Sequence, residues 1–239
     1  MLRVFVDLET TGLSIEDKVC SIALLEERNS SLGLLYDLVN EGKKIPPIAS
    51  SINNITNEMI RNKPPLTKSE SFKHLKLLLQ EDALLIAHNL PFELQFLAQQ
   101  NIQPPLHTID TLRVCRHLIP DLESYALNFL RYEMKLYMQE SKLLQTLNLK
   151  LPCLTPHNAQ SDVIITKLLF EELLLLSTKE DMISLSQKPV LIQKFEFGKY
   201  AGRYIEEIAL QDSGYLRWML NNIEDLSEDM HYTLNYYLN

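Results

Sequence analysis

The chain has 239 residues, enough for one generous domain or one domain with a small appendage, and for a core that needs no disulfide or metal staple. Apolar residues make up 46% and charged residues 23%, which excludes disordered, collagen-like and coiled-coil chains. Lys and Arg number 23 against 31 Asp and Glu, and the resulting charge of −8 argues against long-range steering onto polyanions unless local cations or metal ions supply positive charge.

In chain order, residues 2–6 are a short β-type run bounded by Asp7 and read as a buried first strand. Residues 19–25 and 34–39 follow at hairpin spacing, with the turn between them at 29–33. A Pro-bounded stretch, 46–65, holds short helices, and residues 69–80 place Phe72, Leu75, Leu78 and Leu79 on one helical face. Residues 83–87 are a fourth strand. Residues 91–100 are a helix with Asn89 as its cap and Pro91 in its first turn. A fifth strand is expected at 108–111, and helices at 123–131 and 162–176. Three strands followed by alternating helices and strands indicate an α/β fold with a mixed five-stranded sheet flanked by helices. The polar stretch 178–189 ends in proline and reads as a linker. Residues 190–239 then form a small, mainly helical module, with 4 Lys and Arg against 8 Asp and Glu.

Cys20, Cys115 and Cys153 are far apart and in no CxxC spacing, so they read as reduced thiols of a cytoplasmic protein. Acidic residues as early as Asp7 and Glu9 argue against a signal peptide. The most apolar stretch, 168–176, is interrupted by Glu171 and Glu172 and is too short for a bilayer, so no membrane partner is expected.

Three groups carry chemistry. Asp7 and Glu9 are two apart, so on a strand both carboxylates project from one face. They repel, and a divalent cation relieves that repulsion; the alternative is a surface turn with two solvated acids. His88-Asn89-Leu90-Pro91-Phe92-Glu93 leaves the fourth strand and enters a helix. Glu93 points back toward the edge that holds Asp7, or is an acid favoured near a helix N-terminus. His157-Asn158-Ala159-Gln160-Ser161-Asp162 opens a long amphipathic helix. Five residues turn roughly 500°, so His157 belongs in the preceding loop or first turn, from which it can swing over the site that Asp162 faces. The alternative is a capped helix start with an exposed histidine.

Taken in order, these groups resemble the three motifs of the DEDDh family of 3′→5′ exonucleases over residues 1–177. Ile109-Asp110-Thr111-Leu112 resembles the family's fifth strand, and Asn54-Ile55-Thr56 lies where the family has a turn near the substrate. Phe197-Gly198-Lys199-Tyr200-Ala201-Gly202-Arg203 and Tyr215-Leu216-Arg217-Trp218 resemble the small C-terminal module, at 190–239, of some exodeoxyribonuclease-X-like members. One position departs: the family normally has Asp where this chain has Glu93, which moves the carboxylate out by one methylene.

The resemblance implies a ribonuclease-H-like fold and a metal-dependent exonuclease that releases nucleotides from DNA 3′ ends, in DNA repair. It implies two divalent cations, Mg²⁺ or Mn²⁺, with Asp7 bridging both, Glu9 and Asp162 completing the shell of the first ion, Glu93 helping to hold the second through water, and His157 as general base. Thr10, Thr11, Gly12 and Leu13 would meet the terminal nucleotide, with His88 and Asn89 also on the substrate side. The alternatives are an exoribonuclease acting on RNA 3′ ends and a nucleic-acid-binding relative impaired at Glu93. In the C-terminal module, Lys194, Lys199 and Arg203 interleave with Phe195, Phe197, Tyr200 and Tyr204. That strip either contacts phosphate and stacks bases or is a hairpin whose aromatics form the core of a tiny domain.

Overall fold

The computed structural model describes residues 2–29, 31–149 and 154–239. Cys153 and part of the 29–33 turn lie outside them. The chain forms two units: residues up to Val114 together with Ser124–Ser186, and Cys115–Glu123 together with Gln187–Asn239.

The first unit is built on a five-stranded sheet. Its strands are β1 (Leu2–Thr10), β2 (Val19–Arg28), β3 (Ser31–Leu38), β4 (Ala83–Ala87) and β5 (His107–Asp110), in the order β3-β2-β1-β4-β5. The β1–β2 and β2–β3 pairs are antiparallel, whereas β4 joins β1 and β5 in parallel. The sheet is therefore mixed and flanked by helices, a ribonuclease-H-like arrangement. The helices are α1 (Pro47–Asn53), α2 (Asn57–Ile60), α3 (Glu70–Leu78), α4 (Leu90–Ala98), α5 (Thr111–Leu118), α6 (Leu127–Glu133), α7 (Tyr137–Thr146), α8 (Ala159–Leu173) and α9 (Lys179–Leu185).

Period-two alternation along β1 divides its side chains between two layers. Leu2, Val4, Val6 and Leu8 enter a core with Phe72, Leu75 and Leu78 of α3 and Phe96 and Leu97 of α4. Phe5 faces the other way and meets Phe170 of α8 edge-on at 5.7 Å. Asp7 and Glu9 share Phe5's face, so they look toward the start of the same helix. β1 runs past the expected end at Val6 because β2 pairs with it throughout, Asp7 opposite Ala23 and Glu9 opposite Ser21. The two acids are thus strand residues, held by the β2 ladder on one side, while the pairing with β4 ends at Phe5.

The stretch 178–189, expected as a linker, contains α9. Met182 of that helix is fully buried, and Ser186 Oγ accepts the Asp110 N–H at 2.9 Å. Side-chain burial, invisible in a polar composition, joins the stretch as far as Ser186 to the first unit, while residues 187–189 go with the second. In the second unit, α10 (Ile205–Gln211), α11 (Ser213–Asn222) and α12 (Glu228–Leu238) close over Phe195, Ile205, Ile208, Leu216, Met219, Met230 and Leu234. Residues of 115–123 join it: Lys194 reaches Asp121 at 3.5 Å and the Tyr204 hydroxyl donates to Asp121 at 3.3 Å. The basic and aromatic strip is used internally. Phe195 is buried, Tyr200 and Tyr215 pack edge-on at 5.0 Å, Lys199 pairs with Asp212 and Arg203 with Glu207. Gly198 sits at φ +81°, and a Cβ there would stand 2.5 Å from the Tyr215 hydroxyl, so only glycine fits that turn. Among the described residues no helix is long and apolar enough to cross a membrane.

Arg131 of α6 ties the helices behind α8 together. Its guanidinium donates to both Glu140 oxygens, at 2.6 and 2.8 Å, and to the Leu154 carbonyl at 3.0 Å. Arg131 and Glu140 are only 7% and 8% exposed, so removing one leaves the other's charge stranded. Arg131→Ala should lower unfolding stability by about 3–5 kcal/mol, while Arg131→Met with Glu140→Leu should come out near neutral. Urea unfolding midpoints of the two variants decide it; equal losses would mean that packing, not the stranded charge, sets the effect.

Candidate active site

Three elements bring the acids together. β1 carries Asp7 and Glu9 on the face turned to α8. Asp162 lies in the first turn of α8, which runs against β1. β4, parallel to β1 and paired with it at Phe5 and Ile86, ends at Ala87 beside them and hands the chain to α4 and Glu93. Oxygens of Asp7, Glu9 and Asp162 all lie within 4.8 Å of one another. Glu93 is buried, and its Oε2 has no hydrogen-bond partner among the described residues. All four acids line one cleft of about 670 Å³.

Burial raises the pKa of all four carboxyls, and the charges of neighbouring acids raise Asp7, Glu9 and Glu93 further. Asp7 is raised first by burial, then by the charges of Asp162, Glu93 and Glu9. Burial, then Asp162, lifts Glu9 to about 8. Burial lifts Asp162 to about 7, offset by the backbone N–H groups of Asn158 and His157 and by the charge of Arg131. Glu93 is raised by burial, against the backbone N–H groups of Glu93 itself and Leu8, and further raised by Asp110 and Glu9. Such a set of hard oxygens, one of them orphaned, fits a divalent cation, and no Lys or Arg stands among the described residues that line the cleft. Soft ligands are missing among its lining residues.

The remaining expected residues fall into place unevenly. His157 is exposed, in a left-handed turn at φ 54°, just before the Asn158 cap whose side chain accepts the Ser161 N–H. It lines the cleft from outside the helix, as the 500° argument requires. Thr10, Gly12 and Leu13 line the cleft, and Leu13 is 81% exposed at its mouth. Thr11 does not line it: its hydroxyl is turned to Asp17 at 2.9 Å. His88 lines the cleft, but both ring nitrogens are engaged, Nδ1 with Thr111 Oγ1 at 3.0 Å and Nε2 donating to the Tyr125 carbonyl at 2.8 Å. Asn89 is the first residue before α4 in a left-handed conformation, φ 73°, and makes no side-chain cap. Its N–H instead donates to Asp110 at 2.9 Å.

The sequence reading missed Ile48 and Ile52, four apart on α1 and exposed at the cleft mouth beside Leu13. It also missed Asn53, whose amide reaches the Thr10 carbonyl at 3.2 Å. The i, i+4 isoleucines in a Pro-bounded helix were the available signal.

Comparison with known proteins agrees with this geometry. A family model described as "Exonuclease" matches residues 4–170, and one described as "Exodeoxyribonuclease X-like C-terminal" matches residues 195–224. Exodeoxyribonuclease 10 of Escherichia coli K12 is 30% identical over 241 aligned positions, covering all of this chain and 99% of that protein. The 3′-5′ exonuclease DinG of Bacillus subtilis is 30% identical over 179 positions, 72% of this chain and 17% of that protein. Among solved structures, Exonuclease X in complex with 5′ overhanging duplex DNA has the same fold, with a TM-score of 0.59 at 23% identity over 77% of this chain and 99% of that one. E. coli Exonuclease I in complex with a dT13 oligonucleotide gives 0.51 at 16% identity, over 77% of this chain and 42% of that one.

Acids whose folded-state pKa is raised bind protons more tightly folded than unfolded. Their contribution to stability is full at low pH and is lost as the pH rises, from 4.5 to about 8 for Glu9 and from 3.8 to about 7 for Asp162. In EDTA the melting temperature should therefore fall between about pH 4.5 and pH 8. Added Mn²⁺ should raise it far more at pH 8 than at pH 5. A metal-free melting temperature that climbs across this window would contradict the geometry.

Proposed function

Because the chain belongs to the exonuclease family, in its DEDDh class with an exodeoxyribonuclease-X-like C-terminal module, we propose that it is a 3′→5′ exonuclease that releases nucleotides from DNA 3′ ends. The observation that carries the reading is the convergence of Asp7, Glu9, Asp162 and the orphaned Glu93 oxygen in one cleft, with His157 at its edge. The likeness to exodeoxyribonuclease 10 over the whole chain supports DNA as substrate. Exonuclease domain over 1–177 and C-terminal module over 190–239 are the division this reading adopts. The buried thiol of Cys20 suits a reducing cytoplasm. A role in DNA repair is the same reading extended from the DNA end.

The family depends on divalent metal. Two ions, Mg²⁺ or Mn²⁺, would be held in the cleft, one by Asp7, Glu9 and Asp162 and the other by Asp7 and Glu93. Bound there, they supply the charge that steadies the attacking and leaving oxygens of an in-line displacement at phosphorus. The chain's own residues do the rest. His157, exposed and outside the helix, takes the proton of the attacking water. The Asn158 cap and the Asn158 N–H on Asp162 Oδ2, at 3.2 Å, fix the turn from which it acts. Thr10, Gly12 and Leu13 form the wall against which the last nucleotide lies. His88, held at both nitrogens, presents its ring rather than a free donor. The positive charge that this acidic protein lacks is imported with the metal.

Digestion of 5′-labelled single-stranded DNA, duplex DNA and RNA with Mg²⁺ or Mn²⁺ tests the assignment. A ladder of 3′-shortened DNA products is expected, abolished by EDTA and by Asp162→Ala. His157→Ala should lower turnover by about 10²–10⁴-fold. Glu93→Ala should lose most activity, and Glu93→Asp should keep or raise it. A ladder confined to RNA would overturn the substrate, and binding without cleavage would overturn the enzyme.

A further inference from the structure

Asp110 ends β5, directly opposite Ala87 of β4. It is 5% exposed and does not line the cleft. Its Oδ1 accepts the Asn89 N–H at 2.9 Å and the Leu112 N–H at 3.0 Å. The backbone N–H groups of Leu90 and Arg113 also act on it. One carboxylate thus gathers the first donors of two helices, α4 and α5. That solves a local problem: α4 starts from a left-handed Asn89 with no side-chain cap, so its first N–H groups need an acceptor from elsewhere. The same charge complements both helix dipoles.

The grip extends on each side. The hydroxyl of Thr111, the next residue, lies 3.0 Å from His88 Nδ1 and 3.2 Å from the Ala87 carbonyl, and its one proton serves either of them. Two consecutive residues at the end of β5 therefore hold three consecutive residues at the end of β4. Behind them, the Asp110 N–H donates to Ser186 Oγ, whose own hydroxyl donates to the Met182 carbonyl at 2.8 Å. Glu93 lies one turn into the helix so anchored, with no hydrogen bond to hold Oε2. The Leu8 N–H of β1 acts on its carboxyl, but how far Glu93 reaches toward Asp7 and Glu9 depends on where α4 begins, and Asp110 holds that start.

We infer that Asp110 is a positioning residue: a carboxylate shared by the starts of α4 and α5, which aims Glu93 into the acid cluster without itself contacting metal or substrate. The inference rests on the exonuclease reading for its kinetic consequence and on geometry alone for its effect on metal binding. A lone displacement of the metal-binding acid by about 1 Å can lower a rate on the order of 10²-fold. Asp110→Asn keeps the shape and one acceptor but removes the charge and turns an amide toward the remaining N–H donors. Asp110→Ala removes both acceptors.

The test uses the full chain, first stripped of metal and titrated with Mn²⁺ while free Mn²⁺ is read by electron paramagnetic resonance, then assayed on 5′-labelled single-stranded DNA. For folded Asp110→Asn, Mn²⁺ binding should weaken about tenfold and kcat should fall about 10²-fold, with KM changed by less than about threefold. Asp110→Ala should exceed it in both; should Asp110→Ala not fold, Asp110→Asn carries the test. Mn²⁺ affinity and kcat both at wild-type level in Asp110→Asn would overturn the inference, and so would a fall in kcat with Mn²⁺ affinity unchanged. If the wild type does not cleave DNA but Asp110→Asn still weakens Mn²⁺ binding, the exonuclease reading fails and the positioning role stands.

Discussion

Four carboxylates held together at the end of a buried sheet repel one another, and the surrounding structure is arranged to keep them there. Each alone is an expensive group to bury. Burial is the largest cause of a raised pKa for Asp7, Glu9, Glu93 and Asp162, and the charges of neighbouring acids raise the first three further. No flexible loop would hold them so. Two come from a central strand paired on both sides, one from the first turn of a fifteen-residue helix that packs on that strand, and one from a helix launched by its parallel neighbour. The edge-on contact of Phe5 with Phe170 fixes how α8 lies on β1, and so where Asp162 meets Asp7. The core does for the site what a ligand cage does for a metal: it removes the freedom to move apart.

The acids themselves were legible because their spacing carries geometry. Two residues apart on a strand means one face, and five residues before Asp162 means outside the helix, and both hold for Glu9 and His157. The positions of the strands followed from short β-type runs, with ends shifted by one to four residues. Other features depend on partners far away in sequence and left no local mark. Asp110 is a single acid at a strand end until Asn89 is folded against it, 21 residues away. α9 reads as polar chain until Met182 is buried. The grouping of Cys115–Glu123 with the C-terminal residues rests on Asp121 meeting Lys194 and Tyr204, which no composition shift announces. Thr11, placed by its motif beside the substrate, is turned away because Asp17 claims its hydroxyl, and Asp17 is itself held by Lys43 at 2.7 Å.

Glu93 is where the sequence departs from the family it resembles. Its carboxyl is buried, is raised by burial and by Asp110 and Glu9, and keeps one oxygen without a hydrogen-bond partner among the described residues. The C-terminal unit poses the opposite case. Lys194, Lys199 and Arg203 are paired within the unit, with Asp121, Asp212 and Glu207, and its central aromatics pack on each other.

The central claim is that the acid cluster is completed by two divalent cations sharing Asp7. A crystal soaked in Mn²⁺ and measured at the manganese absorption edge tests it most directly. The account predicts two anomalous peaks about 3.5–4 Å apart, both within bonding distance of an Asp7 carboxylate, one also at Glu9 and Asp162 and the other on the Glu93 side. A map with no peak among these four carboxylates at saturating Mn²⁺ would contradict it.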